Sequence, residues 1–256
     1  MSSTLRIRVP GSTSNLGPGF DCLGLAVDRY LTLTWSAEGD GAVHATGERP
    51  PPGFGDRLAE ALSQGSRALG LPRGGSLHVH SEIPVGRGLG SSAALSVALE
   101  LLRILLRDEM PDIGAVLNHV ATVEGHPDNA APSLHGGLVV TCMRSDGVAV
   151  DRLGLSRDIG WVWAAPSVPS DTVAMREALP QVVPHQAAVR NAGRLARLLP
   201  ALAAGDGAAL CWAMEDELHV PWRLPLIAGG EAARRAALEA GAWACTISGA
   251  GSGLIA

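Results

Sequence analysis

Hydrophobic positions along the chain alternate between strand-like and helix-like spacing. Alternation of polar and apolar residues, or short apolar runs, predict strands at residues 5–9, 30–35, 76–83, 138–143, 159–166 and 244–248. Helical spacing predicts helices at residues 56–69, 91–106, 112–123, 186–199, 207–219 and 231–240. Because both kinds of element recur along the whole chain, the pattern indicates an α+β protein.

Three connecting segments are rich in glycine, proline or polar residues. Residues 11–19 predict a turn, and residues 47–55 predict a loop because they contain three consecutive prolines. Residues 145–158 are the predicted linker between two lobes. The expected division is therefore an N-terminal lobe, residues 1–152, and a C-terminal lobe, residues 153–256.

Composition narrows the class of protein and its surroundings. A hydrophobic content of 46% is enough for a packed core, and a net charge of -5 argues against nucleic-acid or anionic-membrane partners. No apolar run approaches the roughly 18 residues of a membrane-spanning helix, and the first ten residues lack the apolar core of a signal peptide. The four cysteines are widely spaced, which is typical of free thiols, so we expect a cytoplasmic protein.

All twenty basic residues are arginine, and the chain contains no lysine. This excludes every mechanism that needs a lysine, including a Schiff base, a phosphate-binding P-loop lysine and a lysine general base. A phosphate bound by this chain must instead be neutralised by backbone N–H groups, by a metal ion or by arginine.

A glycine-rich loop, P-V-G-R-G-L-G-S-S-A-A, lies between a predicted strand and a predicted buried helix. Glycines let a ligand approach the backbone, and the first turn of the helix offers unpaired N–H groups at its positive end, which suits phosphate. An ordinary strand-to-helix turn with Ser91 as the helix cap would also fit this pattern. The loop matches neither the P-loop nor the dinucleotide-binding fingerprint, and Arg87 is its one cation.

Three motifs together resemble the GHMP kinase family. They are V-P-G-S-T-S-N-L-G-P-G-F-D at residues 9–21, the glycine loop at residues 84–94 and S-G-A-G at residues 248–251. The resemblance implies a two-lobed fold, with an N-terminal lobe like ribosomal protein S5 and a C-terminal ferredoxin-like lobe. It also implies that ATP is bound by the glycine loop, whose residues are Pro84, Val85, Gly86, Arg87, Gly88, Leu89, Gly90, Ser91, Ser92, Ala93 and Ala94.

Three further segments resemble the branch of this family that phosphorylates the side-chain hydroxyl of L-homoserine in threonine biosynthesis. They are E-G-H-P-D-N-A-A-P at residues 124–132, A-M-R-E-A-L-P at 174–180 and D-E-L-H-V-P-W-R-L-P-L-I at 216–227. The alternatives are a GHMP kinase with another small acceptor, such as mevalonate or shikimate, and an inactive remnant that only binds ATP. The family also implies a homodimer.

The resemblance assigns roles to the residues that match its substrate site. Asn15 and Asp21 would lie at the amino-acid end of the site, Arg176 and Arg223 would hold the substrate carboxylate, and Asn129 would orient the attacking hydroxyl. Taken singly, an arginine is more often a surface residue, and an aspartate after a glycine-rich turn is more often a capping residue.

The resemblance also implies a magnesium ion held by Glu124, together with Ser92. An acidic residue at a helix C-terminus opposes the helix dipole, which favours a ligand role for Glu124. His126, in the same motif, is interpreted as a structural hydrogen-bonding residue. An aspartate–lysine base is impossible in a chain without lysine, so our hypothesis is direct in-line attack without a general base. Loss of turnover in Asp21→Asn, with little change in homoserine binding, would instead indicate that Asp21 is the base.

The third motif departs from the family where Ser252 and Gly253 replace its usual proline and Thr or Ser. Family members usually continue through a returning strand and a further helix beyond this loop, whereas in the given sequence only three residues, ending with Ala256, follow it. The expectation is therefore a C-terminal lobe that is incomplete at its C-terminus.

Overall fold

The computed structural model of the chain describes residues 4–49, 66–72 and 75–256, and it confirms the α+β class. The strands are β1 (Thr4–Asn15), β2 (Gly19–Ser36), β3 (Val43–Gly47), β4 (Ser76–Ser81), β5 (Leu138–Arg144), β6 (Gly147–Leu153), β7 (Trp163–Ala164), β8 (Thr246–Ile247) and β9 (Leu254–Ile255). The helices are α1 (Ser91–Leu105), α2 (Ile113–Glu124), α3 (Ala130–His135), α4 (Thr172–Glu177), α5 (His185–Ala204), α6 (Gly207–Ala213), α7 (Val220–Arg223) and α8 (Gly230–Glu239).

The long strand β2 organises the first sheet. It pairs antiparallel with β1 along one edge, while its other edge pairs with β4 in its second half and with β5 in its first half. β3 runs parallel to β4, and β6 runs antiparallel to β5. The second sheet is small and antiparallel, with β9 between β7 and β8.

Helix α1 is the central helix of the first hydrophobic core. Its sequence is apolar on nearly all sides, and residues 93–99 and Leu102 are buried because α1 packs against β1, β2, α2 and α3. The predicted cap of α2 is confirmed, since Asp112 accepts a hydrogen bond from the N–H of Ala115 at 3.1 Å.

A second hydrophobic cluster joins the two sheets. Leu16 and Leu23, from the β1–β2 region, pack in one buried cluster with Leu198 of α5, Leu210 of α6 and Ile255 of β9. Because this cluster is shared, the loops of the first sheet have a set position relative to the C-terminal helices. The proposed boundary at residue 152 falls beside the end of β6 and stays a prediction.

The predicted linker at residues 145–158 is wrong. Half of it forms β6, which pairs with β5 in a hairpin whose register runs from Arg144 opposite Gly147 to Leu138 opposite Leu153. Glycine and aspartate in this stretch mark a tight hairpin turn, because Gly147 has a φ of 135° that other residues rarely adopt.

The predicted turn at residues 11–19 is too long, because β1 continues to Asn15. Its last residues, Ser12, Thr13 and Ser14, are polar yet buried, since they bond to other loops instead of solvent. Sequence reasoning interpreted their polarity, together with the neighbouring glycines, as a turn.

Two predicted elements of the C-terminal half are shorter than expected. The predicted strand at residues 159–166 forms a ladder only at Trp163 and Ala164. The predicted helix at residues 207–219 ends at Ala213, because the buried Asp216 side chain caps the next helix, α7. Its Oδ2 accepts hydrogen bonds from the backbone N–H groups of residues 218, 219 and 220 at 2.7–3.1 Å.

Most of the predicted helix at residues 56–69 lies outside the described residues. Its last part, Ser66–Leu69, is a single 3-10 turn. Within the described ranges, no helix combines the length and apolar character needed to cross a membrane.

We predict that Leu102→Ala lowers the free energy of unfolding by about 2–5 kcal/mol, since it leaves a cavity in the core around α1. Urea denaturation followed by circular dichroism measures this change. The matched control is Met110→Ala, whose side chain is 90% exposed and which should change stability by no more than about 0.5 kcal/mol. Equal effects for the two variants would contradict the assignment of this core.

Candidate active site

Three loops from distant parts of the chain interlock beside the first sheet. The N–H of Ser12 donates to the carbonyl of Leu89, and the N–H of Gly249 donates to the carbonyl of Ser14, each at 3.1 Å. The buried hydroxyl of Ser248 bonds to the carbonyl of Gly88 at 2.6 Å and to the Thr13 hydroxyl at 2.8 Å. The three motifs singled out in the sequence therefore meet at one place.

A cleft of about 400 Å³ opens where these loops meet. The residues that line it include every predicted site residue except Ala94, which is fully buried in the core around α1. The predicted members are Asn15, Asp21, Pro84, Val85, Gly86, Arg87, Gly88, Leu89, Gly90, Ser91, Ser92, Ala93, Glu124, Asn129, Arg176 and Arg223.

The glycine loop presents backbone to one end of this cleft. Gly86, Gly88 and Gly90 have φ values of 68°, 75° and 66°, and a side chain at Gly88 would collide with the carbonyl of Ser248. α1 begins directly after Gly90, which has no side chain to cap its first turn, so the N–H groups of that turn are suited to an anion.

Arg87 is the one cation of the glycine loop, but its guanidinium bonds to a backbone carbonyl of another segment. Its Nη2 donates to the carbonyl of Ser167 at 2.7 Å, and its backbone carbonyl accepts from the indole of Trp163 at 3.3 Å. The loop is thus tied to the segment that leads from β7 to α4. The charge of Arg87 stays at the rim of the cleft.

Glu124 ends α2 and faces the first turns of α1. Its Oε1 accepts hydrogen bonds from the hydroxyls of Ser92 at 3.1 Å and Ser96 at 2.7 Å. A carboxylate beside a hydroxyl at the rim of an anion site is a set of hard oxygen donors, which fits a magnesium ion.

Asp21 and Arg176 form a two-pronged ion pair across the other end of the cleft. The guanidinium donates to both carboxylate oxygens, at 3.0 and 3.2 Å. Asp21 has a φ of 55°, and its N–H donates to Oδ1 of Asn15, whose Nδ2 donates to the carbonyl of Gly249 at 2.7 Å. Both ends of the Asn15 amide are therefore used to hold Asp21 against the third motif.

Arg223 is a buried cation with unused hydrogen-bonding capacity. The side chain is 1% exposed, its Nε donates to the carbonyl of Met175 at 2.8 Å, and its Cζ lies 5.1 Å from the ring centre of Phe20. Among the residues that the structure describes, its Nη2 has no hydrogen-bond partner and no carboxylate pairs with it. Burial, and then the like charge of Arg176, lower the pKa of Arg223 to about 10, so it remains charged at neutral pH.

His126 and Asp128 form a second side-chain pair that the sequence reasoning did not assign to the site. Asp128 is almost completely buried, and its Oδ1 is hydrogen-bonded to Nδ1 of His126. Ligating atoms of Asp21, His126 and Asp128 all lie within 4.8 Å of one another. The signal for them was the polar run H-P-D-N itself, in which His126 was interpreted as a structural hydrogen-bonding residue and Asp128 was given no role.

Asn129 is fixed by hydrogen bonds at both ends of its amide. Its Nδ2 donates to the Ser14 hydroxyl at 2.9 Å, and its Oδ1 accepts from the Ser12 hydroxyl at 3.0 Å. These bonds anchor the start of α3 to the first motif. The cleft thus combines an anion site and a magnesium-type oxygen pair at one end with two carboxylates and two guanidinium groups at the other.

The chain is similar to kinases of known family. The family model described as GHMP kinases N terminal domain matches residues 56–137. A homoserine kinase from Synechococcus sp. (strain RCC307) is 37% identical, over 100% of this chain and 84% of the relative. Among solved structures, a homoserine kinase from Cytophaga hutchinsonii has a TM-score of 0.76 and 28% identity, over 100% of this chain and 85% of that one.

A mevalonate kinase from L. major, in complex with R-mevalonate, has a TM-score of 0.72 but only 15% identity, over 99% of this chain and 87% of that one. At that identity the likeness concerns the fold alone. The fold therefore does not discriminate between acceptors, and the residues of the site must do so.

We predict that Asp128→Asn lowers the pKa of His126 from above its ordinary value of 6.5 to below it. Burial by itself lowers the pKa of His126, but the hydrogen bond and charge of Asp128 outweigh burial and raise it. In the unsubstituted chain this raised pKa stabilises the fold fully below pH 6.5, and the contribution is lost as the pH rises through the raised value.

The pKa of His126 can be followed by NMR titration of its ring proton, with the exposed His185 as an internal reference that should not shift. An unchanged pKa of His126 in Asp128→Asn would show that Asp128 is not its partner in solution.

Proposed function

The chain belongs to the homoserine kinase family within the GHMP kinases, and from this we propose that it transfers the γ-phosphoryl group of ATP to the side-chain hydroxyl of L-homoserine. Its fold is the two-lobed GHMP kinase fold, and the enzyme is an ATP-dependent small-molecule kinase. The product, O-phospho-L-homoserine, belongs to threonine biosynthesis. The reaction takes place in the cleft between the three motif loops.

The buried, unpaired Arg223 is the observation that carries the choice of substrate. A buried guanidinium without a carboxylate is costly, and a ligand carboxylate would relieve that cost. Arg176 lies near enough to lower the pKa of Arg223, so two cations are available for one carboxylate. Mevalonate and shikimate also carry a carboxylate, so this half of the site does not exclude them.

The other half of the site distinguishes an amino acid from those acceptors. Asp21 and Asp128 place two carboxylates within 4.8 Å of each other, which suits a substrate ammonium group. Mevalonate and shikimate have no cationic group to offer there. A zwitterion therefore satisfies the charges of both halves.

The ion pair between Asp21 and Arg176 stands in for this zwitterion when the substrate is absent. An α-ammonium group can replace Arg176 on Asp21 while the α-carboxylate replaces Asp21 on Arg176. Such an exchange leaves neither Asp21 nor Arg176 without an opposite charge, which avoids the penalty of stranding either charge in a partly buried site.

The triphosphate of ATP is held by the glycine loop and the N-terminus of α1. With no lysine in the chain, the backbone N–H groups of the first helical turn supply the positive potential. Ser92 and Glu124 would hold the magnesium ion, which when bound supplies charge neutralisation for the phosphate oxygens.

Phosphoryl transfer then depends on positioning. The homoserine hydroxyl oxygen bonds to the γ-phosphorus as the bond to the bridging oxygen of ADP breaks. Asn129, whose amide is held by Ser12 and Ser14, orients that hydroxyl. The carboxylate of Asp21 is bonded to Arg176 and that of Asp128 to His126, so neither is free to accept the hydroxyl proton, which goes to a transferred phosphoryl oxygen.

The cellular compartment expected for the protein fits this reaction. The four cysteines are free thiols, and ATP is the phosphoryl donor, which supports the expected cytoplasmic location. The homodimer implied by the family stays a prediction.

The direct test is Mg²⁺-dependent release of ADP by the purified chain, with L-homoserine, mevalonate and shikimate as parallel acceptors. We expect turnover with L-homoserine only, and none when Mg²⁺ is omitted. Turnover with another acceptor would keep the kinase and reject the substrate. ATP binding without turnover on any acceptor would favour the inactive remnant instead.

A second prediction concerns Arg223. Arg223→Met should raise the KM for homoserine by about 10²-fold or more, because removing a buried charge partner costs about 2–5 kcal/mol of binding, while the KM for ATP should stay within about twofold. The free energy of unfolding should stay the same or rise, since an apolar side chain replaces a buried charge that forms no direct ion pair with any described residue. Arg235→Met, at an exposed position of α8, is the matched control. A marked loss of stability in Arg223→Met would argue against this view of the site.

A further inference from the structure

Side chains from the C-terminal part of the chain form hydrogen bonds with the turn between β1 and β2. His219, which directly precedes α7, is fully buried, and its Nε2 lies 3.0 Å from the carbonyl of Gly17. Its ring stacks on Phe20, with ring centres 5.1 Å apart and an interplanar angle of 28°. Asn191 of α5 adds a hydrogen bond from its Nδ2 to the carbonyl of Pro18 at 3.0 Å.

The surroundings of His219 favour a neutral ring that donates from Nε2. A carbonyl can only accept, so the proton of the neutral ring lies on Nε2. Burial lowers the pKa of His219, and it outweighs the nearby Asp216 carboxylate, whose Oδ2 lies 3.8 Å from Nε2. The positive charge of Arg223 acts in the same direction as burial. His219 is therefore suited to holding its neighbours in place, and not to proton transfer.

The contacts of His219 connect the two charged groups of the substrate site. Phe20 directly precedes Asp21, and the Arg223 guanidinium also lies near the Phe20 ring, with its Cζ 5.1 Å from the ring centre. Arg223 itself lies four residues after His219, at the end of α7. One buried ring thus touches the turn that carries Asp21 and precedes the helix that carries Arg223.

We propose that His219 is a positioning residue for homoserine: by holding Gly17 and Phe20, it sets the separation between Asp21 and Arg223. This inference rests on the proposed function, in which these two groups bind the ammonium and the carboxylate of one substrate. Since both substrate groups are attached to the same carbon atom, the site tolerates little change in that separation. The hydrogen bond and the ring contact of His219 go to Gly17 and Phe20, which lie outside the glycine loop that binds ATP.

Two substitutions separate the hydrogen bond of His219 from its stacking. His219→Gln keeps an N–H donor for the Gly17 carbonyl, His219→Phe keeps a ring against Phe20, and His219→Ala removes both. The exposed His185→Gln, at the start of α5, is the control.

We expect His219→Ala to raise the KM for homoserine at least about tenfold, since a misplacement of about 1 Å can cost about 10²-fold. The KM for ATP should change by less than about twofold, and His219→Gln and His219→Phe should each recover part of the loss. Equal rises of both KM values, or a lower kcat with both KM values unchanged, would overturn the proposal.

A second readout does not depend on activity. Cys22 follows Asp21, and burial, then the charges of Asp128 and Asp21, raise the pKa of its thiol to about 11, so it should react slowly with iodoacetamide. In His219→Ala we expect Cys22 to be alkylated several-fold faster, as peptide mass spectrometry measures, while the buried Cys245 stays protected.

The alkylation result separates the two hypotheses. An unchanged rate of alkylation at Cys22 would overturn the positioning role. An equal increase at Cys245 would also overturn it, because it would indicate a general loss of packing. If the unsubstituted chain fails to phosphorylate homoserine while Cys22 responds as expected, the proposed function fails and the role of His219 in holding the turn stands.

Discussion

Hydrogen bonds between three loops hold the site in place, and they require backbones to lie in direct contact. The Ser248 hydroxyl bonds to the carbonyl of Gly88, and a side chain at Gly88 would occupy the same space as the Ser248 backbone. The N–H of Ser12 bonds to the glycine loop, and that of Gly249 bonds back to the first motif. Because these loops come from both sheets, the anion site at α1 and the charged end of the cleft form one rigid unit.

The charged side chains of the site also depend on the packing and backbone around them. Arg223 is buried without a carboxylate, which the fold tolerates only because neighbouring packing and the Met175 carbonyl hold it there. Asn15, Leu16 and Asp21 all have positive φ, a backbone conformation that costs free energy for residues other than glycine. Strain and uncompensated charge therefore coincide at the place where a zwitterionic substrate would bind, as expected for a preorganised site.

Sequence reasoning identified most of the residues that line the cleft because their motifs are local. Glycine spacing before a buried helix identified the loop at residues 84–94, and the resemblance of the other motifs supplied Asp21, Glu124, Arg176 and Arg223. It did not find His219 or Asp128, because a buried histidine or aspartate in the sequence resembles one at the surface. It also misjudged β6, whose turn residues resemble those of a linker.

The sequence by itself determined the α+β class, the buried helix α1, the capped start of α2 and the absence of lysine chemistry. These follow from periodicity, capping and composition, which act over a few residues. Only the tertiary structure decided that Asp21 pairs with Arg176, 155 positions away, that Arg223 is buried and has no carboxylate partner in the described part of the chain, and that His219 contacts Gly17 and Phe20. Charge pairing and burial depend on which distant segments pack together, and no local pattern encodes that choice.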